Sequence, residues 1–270
     1  MQERLINLPH PIKLMSSWKI DFFGKKPKLN KPILIEGLPG IGNVGKVAVD
    51  FIIEETKAKK IASFFSYHLP HSVFVNEENL VELPKLELYH ARIRGKFDFL
   101  LLSGDVQPID EISCYEFCDS VLDTFEELKG SEVVTLGGIA MRQIPKKPQV
   151  YCTGNSKQII KKYKNNTAIN DKLFGVVGPV IGVSGVLLGL AERRKISAIS
   201  LLAETFGHPL YLGVNGSREL VKILNFKLEL GMNLESLDKE IKKIEADMLA
   251  RAKEITQLQG KMPQLTGAVK

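Results

Sequence analysis

Cysteine is scarce in this chain of 270 residues. Cys114, Cys118 and Cys152 form an odd set at no recognisable disulfide spacing. That excludes a disulfide scaffold and fits a reducing cytoplasm. Uninterrupted hydrophobic runs are missing as well. The longest apolar stretch, Val176 to Leu190, is broken by glycines and carries Pro179, which excludes a transmembrane helix there. The opening MQERLINLPHPIKLM lacks the continuous apolar segment of a secretory signal, so a cytoplasmic protein is expected. A basic stripe interleaved with aromatics is absent too. The net charge is +6, but the lysines fall in short clusters (Lys25-Lys26, Lys59-Lys60, Lys146-Lys147, Lys161-Lys162). Nucleic-acid binding concentrates charge on one face. Here the expectation is a solvated lysine-rich surface, with an acidic protein partner as the use of any surplus.

Two nucleotide motifs are each left incomplete by one missing residue. In Lys31–Asp50 an apolar run, Ile33-Leu34-Ile35, reads as a buried strand. It breaks at Gly37-Leu38-Pro39-Gly40, and Val44, Val47, Ala48, Phe51 and Ile52 then recur on one helix face. Gly40-x-Gly42-x-x-Gly45 therefore stands at a strand-to-helix turn, where a dinucleotide fingerprint belongs, and Gly40 to Lys46 fits the first seven positions of a phosphate-cradling loop. That loop needs Ser or Thr next, to ligate magnesium, and Val47 stands there. A dinucleotide fold needs a carboxylate at the end of the next strand, to hold the ribose. The strand Ile61 to Ser66 ends in Tyr67-His68-Leu69-Pro70 instead. Tight turning and close packing explain the glycines without a ligand. Gly40, Gly42, Gly45 and Lys46 remain a candidate anion-binding turn because a helix N-terminus attracts anions.

An ordinary globular composition (44% apolar, 25% charged) supports one large domain with an extension. Strands are expected at Val73 to Val75, Leu80 to Leu83, Leu86 to Arg94, Phe97 to Leu102, Glu132 to Leu136, Val150 to Cys152 and Ile196 to Glu204. Helices are expected at Ile112 to Leu128, Ser156 to Tyr163, Gly185 to Arg194 and Ser217 to Glu229. This alternation predicts an α/β three-layer sandwich around a mostly parallel sheet, with an antiparallel portion among the short strands between residues 72 and 94. Residues 1–30 are mixed, with Trp18, Phe22 and Phe23 available to pack on the main body.

From Leu237 to Leu258 a narrow stripe (Leu237, Ile241, Ile244, Met248, Ile255, Leu258) follows a 3-4 spacing between charged flanks. It fits a short coiled coil or partner-docked helix, and equally a terminal helix packed on its own domain. The resulting division is a domain over 1–231, a long C-terminal helix over 232–260 and a tail over 261–270.

Little else carries chemistry. His68 and His71 lack the carboxylate or cysteine cluster of a metal site, so no metal and no cofactor are expected. Cys114 and Cys118, four apart on one helix face, read as buried small residues. Glu36, Asp105, Asp110 and Glu204 lie at or just after strand ends, where open α/β sheets bind ligands. Asp105, Arg142 and Glu204 either share a pocket with the Gly40–Gly45 turn or, the reading favoured here, such polar residues simply cap helices and turns. No nucleophile–base pair emerges.

Four blocks in order, Leu38 to Gly45, Leu136-Gly137-Gly138, Gly182 to Leu188 and Ala203 to Pro209, resemble the proteasome assembly chaperone family, in its archaeal homologues of the second chaperone subunit. The resemblance covers about residues 30–230. It implies a phosphorylase/hydrolase-like α/β fold, no catalysis, a homo-oligomer, and, as in some archaeal members, binding to the α-ring of the 20S proteasome. Such members dock a C-terminal hydrophobic–Tyr–any sequence between α-subunits. This chain ends Ala268-Val269-Lys270, with Val269 in the tyrosine position. On this reading the partner-binding residues are Leu237, Ile241, Ile244, Met248, Ile255, Val269 and Lys270, and neither nucleic acid nor membrane is a partner. The alternative is a nucleotide- or phosphate-binding enzyme related in fold to nucleoside phosphorylases.

Overall fold

The computed structural model describes residues 17–95, 97–175, 178–208, 211–239 and 241. Its centre is an eight-stranded sheet in the order β1 (Lys19–Phe22), β3 (Lys59–Phe65), β6 (Leu86–Ile93), β7 (Phe97–Gly104), β2 (Ile33–Glu36), β8 (Glu132–Met141), β10 (Ser197–Phe206) and β9 (Val150–Gly154). Strands β7, β2, β8 and β10 are mutually parallel, and β3 runs the same way beyond the antiparallel β6. Antiparallel β1 and β9 close the edges. A separate hairpin, β4 (Phe74–Val75) and β5 (Val81–Glu82), is inserted between β3 and β6.

Strand periodicity divides the buried residues between two faces. Ile35, Leu101, Val134 and Ile199 enter one core with α1 (Val44–Thr56), α3 (Lys157–Lys164) and α5 (Val214–Lys227). Leu34, Leu100, Val133 and Ala198 enter the other with α2 (Glu111–Glu127) and α4 (Val183–Arg193). The chain is therefore a three-layer α/β sandwich. Its central strands read as continuous apolar runs because both faces are covered.

Local chemistry sets the helix starts. Asp110 caps α2 by accepting from the Ser113 N–H at 2.8 Å, and the Ser113 hydroxyl lies 3.4 Å from the Asp110 N–H in return. Ser156 caps α3 through the Ile159 N–H at 3.3 Å. Such caps contribute about 1 kcal/mol each. The mixed N-terminal stretch supplies the edge strand β1, and buried Trp18 packs on Phe117 and donates to the Ser113 carbonyl at 3.1 Å.

A further helical turn begins at residue 234. Its Leu237 and Ile241 are buried in the same core as α1 and α5, and Asp238 accepts both Arg218 Nε and Nη2. The first two positions of the terminal stripe thus pack on the chain's own domain. Ile244, Met248, Ile255, Leu258, Val269 and Lys270 lie outside the described residues, as does the rest of the long helix. No helix among the described residues is long and apolar enough to cross a membrane.

Candidate functional site

Four strands deliver their C-terminal ends to one end of the sandwich, and a cleft opens there. β2 finishes on Glu36, which is fully buried. Its Oε1 accepts from the Leu38 N–H at 3.1 Å and its Oε2 from the Ser184 hydroxyl at 2.9 Å, tying β2 to the start of α4. Burial pushes this carboxyl up to about 7, against the opposing pull of Ser184 and the Leu38 and Leu136 amides. In register beside it lie Thr135 and Ser200, whose buried hydroxyls have no hydrogen-bond partner.

Above Glu36 the glycine turn is packed too closely for side chains. A Cβ on Gly37 would stand 2.2 Å from the Gly45 carbonyl oxygen, and one on Gly45 would stand 2.3 Å from that of Leu136. Gly42 holds φ +60° against Thr205, and its carbonyl accepts from the Gly213 N–H at 2.7 Å. These glycines let the turn and α1 settle directly on β8 and β10, the close helix–strand approach that glycine permits. Lys46 turns along its helix, with Nζ 2.8 Å from Asp50. Asp50 also accepts from Ser103. Val47 packs at the edge of the core.

The cleft has a volume of about 710 Å³, and Leu38, Gly40, Ile41, Gly138, Ile181 and Ser184 are among the residues that line it. Among the described residues, no charged side chain belongs to its lining. Gln107, its amide side chain, is committed at both ends: Nε2 donates to the Pro39 carbonyl at 2.6 Å, and Oε1 accepts from the Val183 N–H at 3.0 Å. A phosphate here would meet backbone amides and the already engaged Gln107 and Ser184 side chains, without a counter-charge among the described residues.

Of the two readings of Asp105, Arg142 and Glu204, the shared pocket does not form. None of the three lines the cleft. Asp105 accepts from the Lys85 N–H at 3.0 Å and so holds the start of β6. Glu204 accepts from the Gln149 N–H at 3.0 Å at the β9 edge. Both satisfy backbone donors beside their own strands, in line with the capping reading. Arg142 is exposed beyond β8. His68 lies 3.8 Å from Asp110, and no group of three metal-ligating side chains occurs among the described residues. Cys114 and Cys118 are buried in α2.

Comparison with known proteins decides what this arrangement is related to. The PAC2 family model matches residues 34–251. The chain belongs to the PAC2 family. Among solved structures it is similar to PbaB of Pyrococcus furiosus, described as an archaeal proteasome activator. The identity is 29% and the TM-score 0.78, over 88% of this chain and 100% of that one. PbaA of the same organism, described as an archaeal homolog of proteasome-assembly chaperone, shares the fold at a TM-score of 0.71 and 24% identity, over 90% and 95% of the two chains. The uncharacterized protein MJ0106 of Methanocaldococcus jannaschii is 30% identical over 236 residues, which span 87% of this chain and 88% of that protein. The PAC2 match begins at β2 and takes in the glycine turn, the cleft and α5. Glu36 is one of the carboxylates that the sequence places at a strand end, while Thr135 and Ser200, which complete its buried row, escaped the sequence reading. The row's only trace there is a polar residue at the same inward position of three apolar strands.

Proposed function

We propose that this PAC2-family chain is a non-catalytic, homo-oligomeric chaperone or adaptor for a protein complex, and that the α-ring of the 20S proteasome is its partner. The observation that carries this reading is the similarity to PbaB along the whole of that chain. The chemistry of the glycine turn supports it. Lys46 is engaged by Asp50, Val47 occupies the metal-ligand position, and the cleft lining is uncharged among the described residues. The phosphate-binding alternative needs each of these to be otherwise. The partner-facing residues in this reading are those of the later stripe, Ile244, Met248 and Ile255, together with Val269 and the Lys270 carboxylate. Work on such a complex places the protein in the cytoplasm.

Tail docking without an aromatic anchor is weak, because buried aromatics at hot spots contribute about 2 kcal/mol or more. Surface plasmon resonance against assembled 20S particles tests this. The expected result is weak binding by the natural chain and at least tenfold tighter binding by Val269→Tyr, a gain of about 1.4 kcal/mol. An unchanged affinity rules out docking through the tail.

A further inference from the structure

Of eighteen exposed large apolar residues among the described ones, fifteen lie at the cleft end of the sandwich. They occupy the connections after β2, β3, β7 and β8 and the approaches to α2 and α4, as with Ile41, Tyr67, Ile109, Ile144 and Ile181. The remaining three, Phe23, Phe97 and Phe226, sit at the opposite end. Fifteen such residues, on average more than half exposed, present on the order of 1,000 Å². Summed over this end, that is the scale of the ~800 Å² per partner that a stable interface buries.

The hairpin contributes most to this end. Phe74 is 45% exposed, Val75 63% and Val81 70%. Neighbouring strand residues point to opposite faces, so exposure of both Phe74 and Val75 means that neither face of the hairpin is covered. Among the described residues β4 and β5 pair only with each other, which leaves both outer edges open. A lone two-stranded hairpin is marginal in water.

We propose that this end is the surface through which copies of this chain associate, with the β4–β5 hairpin seated on a second copy. A surface this apolar has to be covered in the free protein at all times, and the partner present at matching concentration is the chain itself. An open hairpin edge also pairs with its own equivalent across a two-fold axis. The inference rests on the homo-oligomeric reading above: a monomeric natural chain overturns both, whereas a hairpin variant that stays assembled overturns the location alone.

Light scattering on the full chain at about 1 to 50 µM reads the outcome. The natural protein is expected at a multiple of its 30.1 kDa. Val75→Glu/Val81→Glu is expected at single-chain mass with a thermal midpoint within a few degrees, since both side chains face solvent in the isolated chain. Phe97→Glu, at the far end, is expected to leave the assembly intact. A natural chain that is monomeric at about 50 µM overturns the proposal, as does a double variant that stays assembled. If the double variant fails to fold, Val81→Cys decides. Maleimide modification that is slow in concentrated protein and faster on dilution supports the contact, and equally fast modification at all concentrations overturns it. A monomeric chain whose apolar dye binding is lost only when 20S particles are added assigns the surface to the proteasome instead, and also overturns it.

Discussion

Glu36 places an ionisable group where a buried strand would ordinarily carry an aliphatic one. A carboxyl whose folded value, about 7, lies above its ordinary 4.5 binds its proton more tightly in the native chain. Its stabilising contribution is therefore complete below the unfolded value and is lost as pH rises through about 7. Between pH 5 and pH 8.5 this group alone is expected to lower stability by about 2–3 kcal/mol. Glu36→Gln keeps an oxygen to accept the Ser184 hydroxyl and cannot ionise. Urea unfolding at the two pH values is expected to show a difference smaller by that amount in the variant. An equal pH dependence in both proteins would mean that Glu36 stays ionised in the fold, held by Ser184 and the Leu38 and Leu136 amides.

At the scale of elements, the glycine turn determines how α1 meets the sheet. Gly45→Ala puts a methyl group 2.3 Å from the Leu136 carbonyl oxygen, where both neighbours are backbone and neither yields cheaply. A loss of about 3 kcal/mol in urea unfolding is expected, at the upper end of overpacking costs. Gly40→Ala, whose Cβ has only the Leu38 carbonyl oxygen at 4.0 Å, is expected to cost about 1 kcal/mol or less. Equal costs would show that backbone freedom, rather than close approach, selects these glycines. Much at this scale was legible from the chain itself. The run Phe97 to Leu102, the Phe117–Val121–Phe125 spacing and the glycine break after Ile35 each report a periodicity that packing retains. Other features depend on residues distant in sequence. Ser103, 53 positions beyond Asp50, joins the Lys46–Asp50 pair that the i, i+4 spacing itself permits. β8 extends to Met141 because β10 runs beside it through Phe206. The short Lys19–Phe22 segment becomes a strand because β3 offers it an edge.

Across the whole molecule the two ends differ in chemistry. The connections opposite the cleft carry Lys25, Lys26, Lys28, Lys31, Lys57 and Lys195, while the cleft end holds most of the exposed apolar side chains. The sequence shows these lysines, but topology brings them together: the β1-to-β2 connection and the returns from α1 and α4 all lie at that end, whereas Lys146-Lys147 follow β8 at the cleft end. The start of the terminal helix belongs to neither end. Leu237 and Ile241 complete the core beside α1 and α5, and Arg218 clamps Asp238 through two nitrogens. A chain ended after Gly231 loses that cover, and burial of two aliphatic side chains corresponds to about 3–5 kcal/mol. Truncation is therefore expected to lower the urea midpoint of the domain itself, whatever it does to assembly. Arg218→Ala in the full chain should reproduce about 1 kcal/mol of the loss, since the ion pair is partly exposed. A truncated chain with the unfolding midpoint of the full one would make the helix an appendage, and its apolar stripe would then be free for a partner along its entire length.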